Sequence, residues 1–197
     1  MNTQLSDRQK EIIEVSLLII AESGIQGLTI KNLARKIGFS ESAVYRHYEN
    51  KIQILIAILD YFKKNSTRFF LEELHSKGTS ISKIEHLFSV QFKIFSMSPS
   101  LVAVIFSEEL FRNEIVSFDK VKEIMNSNFE TLTLIVKEGQ ESGEIRNDLK
   151  DTHIAIIVMG SLRLFVKQWQ MANYSYNLIN EGAEFISSIK ILIKNYK

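Results

Sequence analysis

Apolar residues recur at spacings of three and four positions along most of the chain, which is the periodicity of helices that bury one face. Proline occurs once, at Pro99, and glycine only eight times in 197 residues, so few positions interrupt this periodicity. The pattern predicts an all-α protein of about nine helices.

Capping residues and glycines divide the N-terminal quarter into short elements. Helix 1 is predicted from about Ser6 to Ser23, with Gly24 at the position of a C-terminal cap. Thr29 is placed to cap a short second helix, and Gly38 permits the left-handed turn that ends it. Because Ser40 follows that turn directly, a third helix is predicted to begin there.

The third helix is predicted to be about two turns long, from Glu41 to Tyr48, with Val44 and Tyr48 facing inward. Asn50 is placed to cap a fourth helix, predicted over residues 51–75. The apolar positions of this fourth helix are Ile52, Leu55, Ile56, Leu59 and Phe62. Three helices, two of them short, therefore precede a long one.

Loop signals divide the remainder into helices 5 to 9. Residues 78–80 are typical of a loop, and Pro99 fits the first turn of a helix capped by Ser98. Residues 139–143 end a long segment that begins near Phe118. Together with the first three helices, this predicts an N-terminal three-helix domain followed by a C-terminal helical bundle.

The last two helices, predicted from about Asp151 to Ala172 and from Tyr176 to Tyr196, are apolar on a broad stripe. Small residues on this stripe are Gly160, Ser161, Gly182 and Ala183. Soluble monomers rarely expose so large an apolar surface. Helices 8 and 9 are therefore predicted to form a homodimer interface, which a bulky residue at Gly182 should disrupt.

The charges are distributed unevenly. The whole chain carries 24 basic and 23 acidic residues, which gives no general attraction to nucleic acid. Between residues 29 and 51, however, the spacing of helix, glycine turn and short helix is that of a helix-turn-helix. Basic residues in this segment are Lys31, Arg35, Lys36, Arg46 and Lys51, against Glu41 and Glu49. A local basic excess on this motif predicts DNA binding.

At these residues the chain resembles the TetR family of bacterial transcriptional regulators. The matching positions are Gly24, Gly27, Thr29, Leu33-Ala34, Ile37-Gly38-Phe39-Ser40, Val44-Tyr45-Arg46-His47-Tyr48 and Lys51. So many fixed spacings within about 28 residues are far more specific than a lone helix-turn-helix pattern. Outside this region the agreement is limited to length and helical class.

The resemblance implies roles for individual side chains. Thr29, Tyr45, His47 and Lys51 are expected to contact phosphates, whose oxygens suit hydroxyl, imidazole and ammonium groups near helix N-termini. The expected positions at or near base edges are Ser40, Glu41, Ser42 and Arg46. Lys31 is also expected to contact DNA, because it belongs to the local cluster of basic residues. Tyr48 is expected to be a core aromatic residue on the same face as Val44.

Two positions depart from the family pattern. Ser42 replaces a frequent glycine, and Glu41 places an acidic side chain where DNA is negative. The Glu41 carboxylate has two interpretations: it accepts a hydrogen bond from a cytosine amino group, or it complements the N-terminal end of helix 3.

A family member would carry its effector pocket among the middle helices, closed on one side by helix 8. Aromatic and methionine residues are frequent there: Phe88, Phe92, Phe95, Met97, Phe106, Phe111, Met125 and Phe129. Such stripes are also typical of an ordinary core. As a pocket they favour an apolar effector, for which Phe92, Phe95, Phe106, Phe129, Arg163 and Trp169 are the candidate contacts.

The sequence contains few of the residue patterns that are typical of catalytic sites. There is no cysteine, and the histidines are His47, His75, His86 and His153. The Glu72-x-x-His75 element has no second copy, as a di-iron bundle would require. Phosphate-binding glycine loops and nucleophile elbows are absent from the sequence as well. We therefore expect a non-enzyme without cofactor or metal.

The longest apolar stretches, residues 17–21 and 154–162, are shorter than the roughly 20 residues of a membrane-spanning helix. Residues 1–12 carry charges of both signs, unlike a secretory signal. A cytoplasmic protein is expected. An alternative function is a helical adaptor that binds proteins only, but such an adaptor has no need of the motif between residues 29 and 51.

The expected organisation is a DNA-binding domain over residues 1–52, helix 4 as connector, and an effector-binding and dimerisation domain over residues 53–197. A dimer would place two recognition helices about 34 to 36 Å apart, in successive major grooves of a pseudo-palindromic duplex. A small molecule that binds the bundle would alter that spacing. Repression is the family's usual outcome, and activation stays open.

Overall fold

A computed structural model of the chain describes residues 5–106 and 115–196, and the side chains of 115–121, 124 and 125 are outside the description. Within these ranges the chain forms nine α-helices and no extended strand. The helices are α1 (Asp7–Gly27), α2 (Ile30–Ile37), α3 (Glu41–Tyr45), α4 (Lys51–Leu74), α5 (Ser80–Met97), α6 (Pro99–Ile105), α7 (Ile115–Glu141), α8 (Asp151–Met171) and α9 (Leu178–Ile193). The predicted all-α class is confirmed.

Helix α1 begins as predicted and ends later than predicted. Ser6 caps it and forms a reciprocal capping box with Gln9. Gly24 adopts the positive φ expected of a C-terminal cap, +67°. The chain then makes one further turn through Ile25 to Gly27, where the amide of Leu28 donates to the carbonyl of Ile25 at 3.2 Å. Helix α1 is therefore kinked at Gly24 instead of ending there.

Helices α2 and α3 follow their predicted caps. The Thr29 hydroxyl accepts from the amide of Asn32 at 3.1 Å, and Gly38 ends α2 with φ +84°. Helix α3 ends at Tyr45, three residues earlier than predicted. The reason is local: the amides of both His47 and Tyr48 donate to the carbonyl of Val44, which tightens the chain into a turn.

The described residues form two compact units, drawn from Met1–Phe62 with Ser98–Val121 and from Lys63–Met97 with Lys122–Lys197. In the first unit, α1 packs against α2 and α6, and α2 packs against α3. Helix α4 contributes to both units. These compact units differ in extent from the functional domains predicted at residue 52, which remain a prediction.

The buried face of the first half of α4 agrees with the predicted face only at Leu55 and Leu59. Ile54, Leu55, Ile58 and Leu59 are at most 1% exposed. The predicted residues Ile52, Ile56 and Phe62 are only half-buried. Since α4 carries apolar residues on more than one face in this stretch, periodicity alone does not determine which face turns inward.

In the second unit, α9 packs against α5 and α8. The rings of Phe165 and Phe185 are stacked 4.4 Å apart, and Phe92 packs against Phe165 at 5.5 Å. The end of α9 is tied to the loop before α8 by an antiparallel bridge between Ile145 and Lys194. The aromatic contacts and this backbone bridge hold α5, α8 and α9 in place within the second unit.

Two charged side chains are nevertheless buried in this unit. Lys83 is 7% exposed, and its ammonium donates to the carbonyl of Leu74 at 2.6 Å and to the carboxylate of Glu138 at 3.2 Å. Glu73 is 8% exposed and lies 2.7 Å from Nδ1 of His86. Lys83 thus satisfies the last carbonyl of α4, which no intrahelical amide can reach.

Candidate nucleic-acid interface

Helices α2 and α3 form a helix-turn-helix whose turn is built on Gly38. The amides of Gly38 and Phe39 both donate to the carbonyl of Ala34, at 3.0 and 2.8 Å. Leu33 and Val44 are fully buried on the inner side of the two helices. Because the inner side is packed and the turn is closed by backbone bonds, the angle between the helices is fixed by the chain itself.

The outer side of this motif collects the residues predicted to contact DNA. Eight of the nine are exposed: Thr29, Lys31, Ser40, Glu41, Ser42, Tyr45, Arg46 and His47. Tyr45 is 50% exposed, whereas Tyr48 is 6% exposed, as expected for a core aromatic residue. Tyr45 thus lies on the outer side of the motif and Tyr48 on its inner side.

Burial raises the pKa of the Tyr48 hydroxyl, which has no hydrogen-bond partner within the described ranges. The apolar surroundings disfavour its ionised form. Tyr48 therefore remains neutral and acts in the packing of the first unit.

Two side chains of the motif are held by hydrogen bonds. The Ser40 hydroxyl accepts from the amide of Ala43 at 3.2 Å and lies 2.9 Å from the Ser42 hydroxyl. Lys51 is half-buried, and its ammonium donates to the carbonyl of Ile25 at 3.4 Å. Ser40 is thus the cap of α3, and Lys51 is anchored beside the end of α1.

Glu41 lies exposed in the first turn of α3. This position satisfies both sequence interpretations, because a carboxylate there complements the helix N-terminus and also faces the outer side of the motif. Because α3 has only five residues, the attraction between the Glu41 carboxylate and the helix N-terminus is weak. The exposed position of Glu41 also allows contact with a base edge.

The sequence did not indicate a contact between the start of α1 and the turn of the motif. The guanidinium of Arg8 lies 4.3 Å from the centre of the Phe39 ring and 2.6 Å from the Glu11 carboxylate. Arg8 and Phe39 are 31 positions apart, and no periodic pattern links them. A cation-π contact of this kind supports the turn from the outside.

A shallow groove lies between α1 and α2, next to the basic residues of α2. It is lined by Ile19, Glu22, Ser23, Gly27, Asn32, Arg35 and Lys36. Lys36 pairs with Glu22, and Arg35 donates to the side-chain oxygen of Asn32 at 3.3 Å. Lys36 and Arg35 thus form these polar contacts with residues of α1 and α2, and not with residues of α3.

The candidate effector contacts are spread over the chain. Phe92 and Phe95 are buried in α5, and Phe129 is half-buried in α7. Phe106 is half-buried at the end of α6, in the first unit. The earlier set also included Phe111 and the Met125 side chain, which lie outside the described residues.

Arg163 and Trp169 both lie on α8 and differ in their surroundings. Arg163 is half-buried, and this burial lowers the pKa of its guanidinium. Trp169 is 3% exposed, and its indole Nε1 donates to the carbonyl of Tyr176 at 2.9 Å. Its ring system packs against the Tyr174 ring in a T-shaped arrangement, with the ring centres 4.8 Å apart. Trp169 thus has a structural position between α8 and the start of α9.

The last two helices carry exposed apolar residues. On α8 these are Ile156, Ile157, Leu164 and Met171, and on α9 they are Ile179, Ile191 and Leu192. Among the small residues, Gly160 and Ala183 are exposed and share this surface. Gly182 is buried and faces Phe92 of the same chain, so its small size serves the packing of α9 on α5.

Within the described part of the chain, no group of three His, Asp or Glu side chains is placed to hold a metal ion. In the same residues, no single helix is long and apolar enough to span a bilayer, although α5 and α6 meet that criterion when taken together.

An exposed recognition helix that is followed directly by Arg46 and held by a closed turn is typical of a helix-turn-helix DNA-binding protein. Residues 12–58 match the family described as bacterial regulatory proteins, tetR family, and residues 63–193 match the C-terminal region of the YsiA-like proteins. The chain belongs to the TetR family and is a DNA-binding transcriptional regulator.

Relatives and solved structures extend over nearly the whole chain. The fatty acid metabolism regulator protein of Bacillus subtilis is 26% identical over 89% of this chain and 90% of its own length. The probable acrEF/envCD operon repressor of Escherichia coli is 22% identical over 92% and 84%. The structure of Bacillus subtilis FadR in complex with stearoyl-CoA matches with a TM-score of 0.77 and 23% identity, over 91% and 96%.

Proposed function

We propose that two copies of this chain bind a pseudo-palindromic DNA duplex and leave it when each copy binds a predominantly apolar small molecule. The observation that carries the DNA part is the separation within one motif of a packed inner side, with Leu33 and Val44, from an outer side with Tyr45 and Arg46. Acting on DNA in a bacterium implies a cytoplasmic location.

The proposed DNA contacts fall into two groups. Thr29, Lys31, Tyr45, His47 and Lys51 contact phosphates, and Ser40, Glu41, Ser42 and Arg46 lie at base edges. Arg46 is the proposed main base reader, because an exposed guanidinium at the end of the recognition helix can bond guanine through two parallel hydrogen bonds. Ser40 already caps α3 through its hydroxyl, so its proposed contribution is to hold the start of the recognition helix at the groove.

The proposed dimer interface is the exposed apolar surface of α8 and α9. Ile157 and Leu164 lie seven residues apart and hence on one face of α8, with Gly160 between them. On α9, Ile179, Ala183 and Ile191 repeat at multiples of four. Pairing of these two surfaces with their copies would form a four-helix interface with exposed small residues at the closest approach.

The proposed effector is predominantly apolar. Buried aromatic residues such as Phe88, Phe92 and Phe95 follow one face of α5. The solved Bacillus subtilis FadR complex contains stearoyl-CoA, a ligand with a long apolar chain. An apolar ligand fits such surroundings better than a sugar or a nucleotide does.

The test begins with selection of a duplex from a random library, followed by fluorescence anisotropy at several salt concentrations. Arg46→Ala should weaken binding by about 10-fold or more and relax base preference, because a bidentate base contact is lost. The matched control is Arg68→Ala, which removes the same charge from an exposed site on α4, 70% exposed and paired with Glu72. Absence of any salt dependence, or equal competition by random DNA, would refute the DNA contacts.

The effector part is tested on the same protein-duplex complex. 1-Decanol should release the DNA, whereas ethylene glycol and glucose should not, because only the first presents a long apolar chain. Release by glucose alone would refute the apolar effector and leave DNA binding intact.

A further inference from the structure

Three neutral polar side chains from three different helices meet inside the second unit. The Ser66 hydroxyl on α4 accepts from Nδ2 of Asn128 on α7 at 2.8 Å and from Nε2 of Gln91 on α5 at 3.5 Å. Their residues are 4%, 8% and 5% exposed, in that order. This Ser66–Gln91–Asn128 cluster is thus a polar spot that the apolar pattern of the sequence did not predict.

The cluster is incomplete in one respect. The side-chain oxygen of Asn128, Oδ1, is buried and has no hydrogen-bond partner among the residues that the structure describes. A buried carbonyl oxygen without a donor loses its hydration and gains nothing in return. A leucine at this position would avoid that loss, so the amide is retained at a cost to stability. The oxygen is therefore suited to a donor that the described part of the chain does not supply.

Each member of the cluster is followed, one helical turn later, by a buried apolar residue. Phe70 follows Ser66 by four residues on α4, Phe95 follows Gln91 by four on α5, and Leu132 follows Asn128 by four on α7. Residues four apart share a helix face, and all three are buried, at 5%, 4% and 1% exposure. One acceptor oxygen within an apolar lining matches a molecule with one polar group on an apolar body.

We propose that the Ser66–Gln91–Asn128 cluster is the subsite for the polar head of the effector, and that this head is an uncharged hydrogen-bond donor such as a hydroxyl or a primary amide. This inference rests on the proposed function, of which it specifies the ligand. The donor of the ligand bonds Oδ1 of Asn128, while Ser66 holds the amide in place through Nδ2.

The chemistry of the cluster distinguishes among ligand heads. A carboxylate offers no donor to Oδ1, and its charge would enter a group of three neutral side chains. An ether oxygen can only accept a hydrogen bond, so it leaves Oδ1 of Asn128 without a donor. An alcohol both donates and accepts, and it therefore satisfies Oδ1 and retains an acceptor for a neighbouring donor.

Ser66 also connects the subsite to the DNA-binding motif along the chain. It lies on α4, a continuous helix of 24 residues that begins at Lys51. A ligand that bonds the Ser66–Asn128 pair in only one arrangement of α4 would favour that arrangement, which is all that linkage between two sites requires.

The experiment is isothermal titration of the full-length protein with four compounds of equal chain length: 1-decanol, 1-methoxydecane, decanoate and decanamide. The wild-type protein should bind the alcohol and the amide about 10-fold more tightly than the ether and the carboxylate, the difference expected for one buried hydrogen bond. Asn128→Leu should abolish this preference while it retains the binding of the apolar chain.

Thr131→Val is the matched control, on the same helix as Asn128. Thr131 is 4% exposed, but its hydroxyl already donates to the carbonyl of Ser127 at 3.0 Å. Its removal should leave the preference among the four compounds unchanged. If Asn128→Leu does not fold by circular dichroism, Ser66→Ala serves instead, because it releases the amide that positions Oδ1 and should lower the preference in the same way.

Three results would overturn the subsite. The first is equal affinity of the wild-type protein for alcohol and ether, and the second is binding of none of the four compounds. The third is an Asn128→Leu protein with higher thermal stability and unchanged preference, which would mean that Oδ1 holds a structural water only. Failure of the proposed function is seen separately, because DNA binding is measured without any of these compounds.

Discussion

Gly182 on α9 lies against the ring of Phe92 on α5, and a β-carbon at position 182 would come within 2.7 Å of Cε2 of that ring. Since Phe92 is 1% exposed and packed between Phe88 and Phe165, the ring has no free space into which to move. The close approach of α5 and α9 depends on this glycine.

Gly182→Ala should therefore destabilise the protein by about 1 to 3 kcal/mol, the usual cost of overpacking a core. Ser89→Ala is the control, because Ser89 is exposed on α5, outside both the packed core and the proposed dimer interface. The control should be neutral or stabilising by up to about 1 kcal/mol, since alanine favours a helix. Urea unfolding followed by circular dichroism measures both, and equal stability of the two variants would contradict the packing.

Gly38→Ala tests the turn of the helix-turn-helix. A β-carbon there has open space, so the cost comes from the backbone alone, which has φ +84°. We expect a loss of about 1 to 2 kcal/mol in unfolding free energy and weaker DNA binding. Gly38→Asn should lose less, because asparagine tolerates the left-handed region. An alanine variant as stable as wild type would mean that the turn relaxes without strain.

Lys83→Met removes the buried ammonium that bonds the carbonyl of Leu74 and the carboxylate of Glu138. The carbonyl at the end of α4 would lose its partner, at an expected cost of about 1 to 3 kcal/mol. Lys137→Met is the control, because Lys137 is 60% exposed and 4.0 Å from Glu141. It should change stability by less than about 0.5 kcal/mol. Thermal unfolding distinguishes the two, and a neutral Lys83→Met would show that methionine packing replaces the bonds.

Leu164→Glu tests the proposed dimer interface. Leu164 is 60% exposed on the apolar surface of α8, where a charge would be buried on pairing. Sedimentation should show monomers and DNA affinity should fall with them. Leu134→Glu is the control, because Leu134 is 50% exposed on α7, away from α8 and α9 in sequence. A dimer that persists in Leu164→Glu at micromolar concentration would place the interface elsewhere.

Local features of the fold could be read from the sequence because they depend on neighbouring residues. The caps Thr29 and Ser40 and the positive φ of Gly38 follow from side-chain chemistry within about four positions. The length of α3 did not follow, because its last turn is replaced by two amides that share the carbonyl of Val44. Either ending satisfies the same apolar pattern.

Contacts between distant residues could not be read in this way. Asn128 is 62 positions from Ser66, and Arg8 is 31 positions from Phe39, so neither pair leaves a periodic signal. Gly182 was assigned to a dimer interface because a small residue on an apolar helix fits any close neighbour, within the chain or beyond it. Gly160 and Ala183 are exposed, and they are still predicted to lie in the dimer interface.

The burial of Trp169 gives this protein a built-in optical probe. The chain contains one tryptophan, so all indole emission comes from this position. Its Nε1 is bonded to the carbonyl of Tyr176, and its ring is covered at the junction of α8 and α9. Indole emission shifts to the red as water reaches the ring, and therefore loosening of that junction can be followed in real time without any attached dye.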